Sequence, residues 1–397
     1  MNIRKITFGN FKSLYNAAFE PGKVNVFIGA NGSGKTTILE AIGLLSAAMT
    51  DRVDSSSLQR KGVRLSIPSL YKSSFKDLKR QRSMIDLSLE WEDDCCTDKF
   101  RYDVHLTTPT DTDYWKYHSE AFLQNGEKIW GRSNASQQQS NSYIGFFLID
   151  NDPELTTGRK IAEDFSSYGI FQPNTLTLRG TIPDPNQVSP VGLNGGRLAE
   201  AIRTLIHEND GDLFFGNLYM DDILDMIDWA SDISVDTPKK TTINANIPTT
   251  RQVIEFTDRY MKDTARFTGY DASEGALYVL FMLTLAMHPM GPSIFSVDSF
   301  DHALNPRLAK KMIQVFCEQI IQNNKHVFLT THNPLVLDGL DLQNDDIRLF
   351  AVDRDSNGYA QIRRISVSQE LIDEGLPLSR LWISGRLGGV PSLLLKI

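Results

Sequence analysis

Residues 24–37 read Val24-Asn25-Val26-Phe27-Ile28-Gly29-Ala30-Asn31-Gly32-Ser33-Gly34-Lys35-Thr36-Thr37. An apolar β-type run enters a glycine-rich turn, and Ile38-Leu39-Glu40-Ala41-Ile42 continues as a helical pattern. The spacing is G-x-x-x-x-G-K-[ST], in the strand–loop–helix setting that gives it chemical meaning. Glycines let backbone N–H groups turn inward around a phosphate chain, and the helix aims its positive end at the same anion. A lysine at position 35 suits the β- and γ-phosphates, and a hydroxyl at Thr36 suits Mg²⁺. The stretch predicts that Gly29, Ala30, Asn31, Gly32, Ser33, Gly34, Lys35, Thr36 and Thr37 bind a nucleoside triphosphate.

The totals are those of an ordinary globular chain: 397 residues, 41% hydrophobic and 23% charged. A net charge of −8 argues against a general nucleic-acid coat while leaving room for a local basic patch. Cys95, Cys96 and Cys317 cannot form a disulfide framework, and adjacent cysteines are not a metal spacing. The N-terminus starts as a strand without a signal-peptide core, and no apolar run reaches the ~20 residues of a membrane helix. A reducing, cytoplasmic setting is expected, with no membrane partner.

Five regions follow along the chain: a phosphate-loop lobe over 1–50, a basic insert over 51–82, and an antiparallel β lobe over 83–170. A helical and strand insert occupies 171–270, and a last lobe with a C-terminal extension occupies 271–397. Alternation predicts strands over 3–8 and up to Phe19, then over 84–91, 99–107 and 143–149. Helices are expected from 197 and over 218–230, and strand over 251–267. Helices 275–287 and 306–323 then alternate with short buried strands at 293–297 and 326–330, the pattern of a mainly parallel sheet covered on both faces. Strands 348–352 and 359–365 and a helical start at 368–372 complete the reading. In the basic insert Arg60, Lys61, Arg64, Lys72, Lys76, Lys79, Arg80 and Arg82 are interleaved with Tyr71 and Phe75. This cluster suits nucleic-acid phosphates, a partner surface or a solvated loop.

Three further stretches accompany the loop. Ile294-Phe295-Ser296-Val297-Asp298 is an apolar strand ending in Asp, the form of a Walker B element that anchors Mg²⁺. Val327-Phe328-Leu329-Thr330-Thr331-His332-Asn333-Pro334 is a second such strand, with His332 on the γ-phosphate side. Ser273 precedes an apolar helix that it can cap, leaving N–H groups for an anion. Taken singly, each also reads as ordinary structure: a buried strand end, a core histidine, an N-cap.

Together with Asn10-Phe11-Lys12-Ser13-Leu14 and Val191–Ile202, these stretches resemble ABC-type ATPase heads of the SMC and RecF-like group. The nearest likeness is to compact bacterial AAA-family ATPases related to overcoming-lysogenization (OLD) and anti-phage defence proteins. The resemblance implies an α/β ABC-type P-loop fold, with a mixed or parallel sheet flanked by helices, an antiparallel β lobe and a helical insert. It implies ATP and Mg²⁺, with Thr36 and Asp298 at the metal and Gln172 at the Q-loop position. It also implies that Ser273, Glu274 and Gly275 form the signature that touches a nucleotide held by a second copy, in an ATP-gated homodimer.

One position departs from the family. Its Walker B pattern is Asp-Glu-Pro-Glu-Asn-Gly-Leu-His-Pro, and here Asp298-Ser299-Phe300-Asp301-His302-Ala303-Leu304-Asn305-Pro306 stands instead. Ser299 replaces the glutamate that polarises water, and losing a general base costs about 10²–10⁴ in rate. Tight ATP binding with slow hydrolysis is expected, unless Asp301 or His332 takes over the water. Two functions remain open: a nucleotide switch restraining a separate effector, such as a nuclease, in defence, and an active DNA-repair or chromosome-handling ATPase. Asp353-Arg354-Asp355 resembles a TOPRIM fragment but is read as a turn between strands, because Gly358 follows at once.

Overall fold

The computed structural model describes residues 2–50, 52–92, 98–110, 113–133, 140–142, 156–262, 266–366 and 375–389. The strands expected at 143–149 and the helical start at 368–372 lie outside these residues, as do Cys95 and Cys96. In chain order the strands are β1 (Asn2–Gly9), β2 (Ala17–Phe19), β3 (Val24–Ile28), β4 (Met84–Glu92), β5 (Lys99–Thr107), β6 (Lys116–Gln124), β7 (Glu127–Ser133), β8 (Ile170–Phe171) and β9 (Ile206–Asn209). They continue as β10 (Asp212–Phe215), β11 (Leu218–Tyr219), β12 (Ala230–Asp236), β13 (Val253–Asp258), β14 (Arg266–Thr268), β15 (Ile294–Val297), β16 (His326–Thr330), β17 (Ile347–Arg354) and β18 (Ala360–Ile365).

The central sheet has the order β18-β17-β3-β16-β15-β8, parallel throughout except for the antiparallel edge strand β18. Its two faces bury different cores, and the alternation along β3 shows why. Val24, Val26 and Ile28 enter one core, while Phe27 enters the other. The second face carries the 35–50 helix, apolar almost all round and buried accordingly. Beyond it lies the antiparallel sheet β2-β1-β4-β5-β6-β7. Phe19 joins the layers, packing edge-on against Phe27 and Phe350 at ring distances of 5.4 and 5.3 Å. The first face is covered by the 274–287 and 306–322 helices and by the insert, whose strands form the sheets β11-β10-β9 and β12-β13-β14.

Several expectations are corrected here. β1 and β2 belong to the antiparallel sheet, so a boundary at residue 50 does not separate the two sheets. The helix expected over 218–230 is confined to Met220–Met226 and is followed by β12, where Ile233 and Val235 alternate inward and buried Ala230 precedes a register shift. The strand expected over 251–267 is two strands, because the Asp258 carboxylate accepts the N–H groups of Tyr260 and Met261 and turns the chain. The basic insert contains two short helices, Ser55–Arg60 and Pro68–Tyr71. β6 and β7 were not foreseen, although Asn125-Gly126 adopts φ of 53° and 87°, the hairpin turn those residues favour.

Candidate functional site

Gly29–Thr37 leaves the C-terminal end of β3 and enters the 35–50 helix. Gly29 has no room for a side chain, since a Cβ would meet the Val352 carbonyl at 2.4 Å. Gly32 sits at φ 76°, a left-handed conformation that glycine adopts freely. Lys35 is buried, and its Nζ donates to the Gly29 and Ala30 carbonyls at 2.7 and 3.0 Å. Burial lowers its pKa to about 8 against the opposing pull of Asp298. An anion in the loop would give this under-solvated ammonium a better partner than two carbonyls.

Three segments far apart in sequence converge on Asp298. Thr36 Oγ1 donates to its Oδ2 at 3.1 Å, Gln172 Nε2 donates to the same oxygen at 2.8 Å, and the Thr330 hydroxyl donates to Oδ1. Thr36 and Asp298 thus offer adjacent hard oxygens, a donor set that suits Mg²⁺ completed by phosphates and water. Among the described residues no cluster of three or more His, Cys, Asp or Glu forms an all-protein metal cage. Ser299 follows at φ 62°, with its N–H donated to Thr330 Oγ1 at 2.8 Å. Asp301 Oδ1 accepts the Thr331 hydroxyl at 2.7 Å and the His332 N–H at 3.2 Å. The His332 imidazole is held below its usual pKa by burial first and then by Lys35.

The signature residues stand apart from this cluster. Ser273 caps the 274–287 helix and accepts the Ala276 N–H. The Glu274 carboxylate accepts the Thr175 hydroxyl and lies 3.8 Å from His302 Nε2, and Gly275 adjoins the Ala303 carbonyl. Among the described residues no hydrogen bond links Ser273, Glu274 or Gly275 to the phosphate loop of the same chain.

Arg354, Asp353 and Glu40 were missed as contributors. Arg354 Nε donates to the Gly32 carbonyl at 2.8 Å, and Asp353 Oδ2 accepts the Gly389 N–H at 3.0 Å. The glycine-rich segment 384–389 therefore lies against the start of the phosphate loop. Of the Asp-Arg-Asp stretch only Asp355 is in the turn, where it accepts the N–H groups of Asn357 and Tyr359. Buried Glu40, behind the loop, binds Lys12 at 2.6 Å and Arg64 at 2.7 Å.

The basic insert is corrected residue by residue. Lys61 is buried, with Nζ bonded to the Ser166 carbonyl, and cannot face a nucleic acid. Arg64 is committed to Glu40, Lys72 is half-buried, and Arg82 lies 4.7 Å over the Tyr15 ring. Arg60, Lys76, Lys79 and Arg80 are exposed. Among the described residues no helix is long and apolar enough to cross a membrane.

Known families divide over the two lobes that meet at this site. The AAA ATPase domain family matches residues 1–149. A family described as "AAA domain, putative AbiEii toxin, Type IV TA system" matches residues 182–338. A solved SMC head bound to the C-winged helix domain of ScpA aligns over 94% of this chain and all of that one, with a TM-score of 0.55 at 13% identity. The chain has the fold of an ABC-type P-loop ATPase head, similar to that of SMC heads. The SMC head domain from Thermotoga maritima aligns over 92% of this chain and all of its own, with a TM-score of 0.48 at 14% identity. Two curated relatives are named DNA replication and repair protein RecF. The one from Phocaeicola vulgatus is 36% identical over 76 residues, 18% of this chain and 20% of its own. The one from Renibacterium salmoninarum is 44% identical over 55 residues, 13% of this chain and 14% of its own. The chain thus spans a fifth or less of the curated relatives it matches.

Proposed function

We propose that this ATPase is a nucleotide-gated switch that binds ATP tightly, hydrolyses it slowly and closes into a head-to-head homodimer. Lys35 and the loop N–H groups hold the phosphates, and Thr36 and Asp298 hold Mg²⁺, whose charge screens the phosphates. Gln172 and Thr330 orient the Asp298 carboxylate. Ser273, Glu274 and Gly275 of a second copy complete the site, which is supported by their separation from the phosphate loop within one chain. ATP drives closure by binding the closed state more tightly than the open one. The observation that carries the slow-hydrolysis reading is Ser299 directly after Asp298, where a carboxylate base would otherwise stand.

The closed dimer acts on a separate effector, such as a nuclease, in a cytoplasmic anti-phage system. The family described as a toxin of a toxin–antitoxin system, matching 182–338, supports an effector-coupled role. Steady-state hydrolysis tests the switch: turnover far below 1 s⁻¹ with saturable ATP binding is expected, and turnover of ~1 s⁻¹ or more, ordinary for enzymes, overturns it. A second reading, an actively hydrolysing ATPase that clamps DNA, is favoured by exposed Lys76, Lys79 and Arg80 and by the RecF matches. It requires DNA-stimulated turnover and a steep salt dependence of binding.

A further inference from the structure

We infer that Trp229 is a positioning residue that orients the Ser273 hydroxyl toward the terminal phosphate of a nucleotide held by a second copy of the chain. The inference rests on the head-to-head reading above and assigns it a residue outside the phosphate-loop, Walker B and signature motifs. Trp229 stands between the 220–226 helix and β12, half-buried, with its carbonyl accepting the Arg259 N–H at 3.0 Å. Its ring packs against Phe256 and Phe267, at centroid distances of 5.3 and 6.4 Å. From that fixed seat the indole Nε1 donates to Ser273 Oγ at 3.3 Å.

The valence of the serine decides what this does. A hydroxyl oxygen accepts two hydrogen bonds and donates one. Ser273 Oγ accepts the Ala276 N–H at 3.3 Å as the helix cap and the Trp229 N–H as its second bond. Both lone pairs are engaged, so the O–H is the one valence left, and Ser273 is exposed. A hydroxyl that can only donate outward selects an acceptor such as a phosphate oxygen and refuses a cation or an N–H group. The nearby Glu274 carboxylate accepts the Thr175 hydroxyl and lies 3.8 Å from His302 Nε2.

The test is a double-mutant cycle on ATP-dependent self-association, measured by sedimentation equilibrium with Mg²⁺ and ATP. Trp229→Phe and Trp229→Leu keep an apolar side chain against Phe256 and remove the donor, and thermal melting checks that they fold. Each is expected to weaken self-association about ten-fold, the scale of lost hydrogen bonds, while ATP affinity of the dilute monomer stays within about two-fold of wild type. Ser273→Ala is expected to weaken self-association at least as much, and adding Trp229→Phe to it to cost nothing more. Additive losses, or wild-type association by both Trp229 variants, overturn the inference while the head-to-head reading stands. A wild-type chain that binds ATP and stays monomeric overturns both.

Discussion

Arg354 Nε and the Gly32 carbonyl lie 2.8 Å apart, so the end of β17 holds the tip of the phosphate loop. Arg354 is itself exposed, and the bond adds order to the loop more than stability to the fold. Arg354→Ala is expected to weaken ATP binding about three- to ten-fold by titration calorimetry, with less than about 1 kcal/mol lost in stability. Lysine has a methylene where arginine has Nε, so Arg354→Lys should recover little of the affinity.

Ser299 occupies left-handed backbone at φ 62°. Replacing it with glycine removes the Cβ clash, so Ser299→Gly should raise stability by about 0.5–1 kcal/mol in urea unfolding. Ser299→Glu supplies the missing carboxylate at the same backbone position. Its turnover should rise about ten-fold or more above wild type, within the range a positioned base contributes.

Lys61 has its pKa lowered to about 8, mainly by burial and secondarily by Arg60. Below that pH the lysine is charged in both folded and unfolded chains, and the full cost of burying the ammonium is present. Between about 8 and its usual 10.5 the folded protein releases the proton first, so stability from this group rises with pH. Urea unfolding at two pH values, about 7.5 and 9.5, should show Lys61→Met lacking about 1–2 kcal/mol of the wild-type rise. Lys35 and Lys325, also lowered to about 8, contribute equally to both proteins and cancel in the comparison.

Gly389 sits at φ 70°, and a Cβ there would stand 3.2 Å from the Gly29 Cα. Gly389→Ala should loosen the 384–389 segment at a cost of about 1 kcal/mol. Faster tryptic cleavage after exposed Arg386 is the expected sign, accompanied by a modest loss of ATP affinity.

The parts legible in the sequence were those whose meaning is local. Val24–Thr37 carries strand, loop and helix in consecutive residues, and Ile294–Asp298 and Val327–Thr330 are short apolar runs between helices that only a covered parallel sheet accommodates. Pairings between distant residues left no such trace. Nothing near Trp229 points to Ser273, and nothing near Arg354 points to Gly32. Lys61 looked like its basic neighbours because its burial depends on packing beneath Ser166. Asn125-Gly126 and Asp258 do carry local turn signals, set within runs whose apolar patterning is that of continuous strand.

β3 is complete at residue 28, yet both strands that flank it, β16 and β17, are made from residues 326–354. On a ribosome adding about 5–20 residues per second, Val24, Val26, Phe27 and Ile28 emerge early and wait on the order of 15–60 s for their neighbours. During that interval a strongly apolar strand has unpaired edges, so the nascent chain is a natural client for chaperones. Any message truncated before β16 yields a chain with the phosphate loop written in it and neither neighbour of β3 to seat it. Seating of the phosphate loop thereby waits for synthesis past residue 354, a form of quality control that follows from strand order alone.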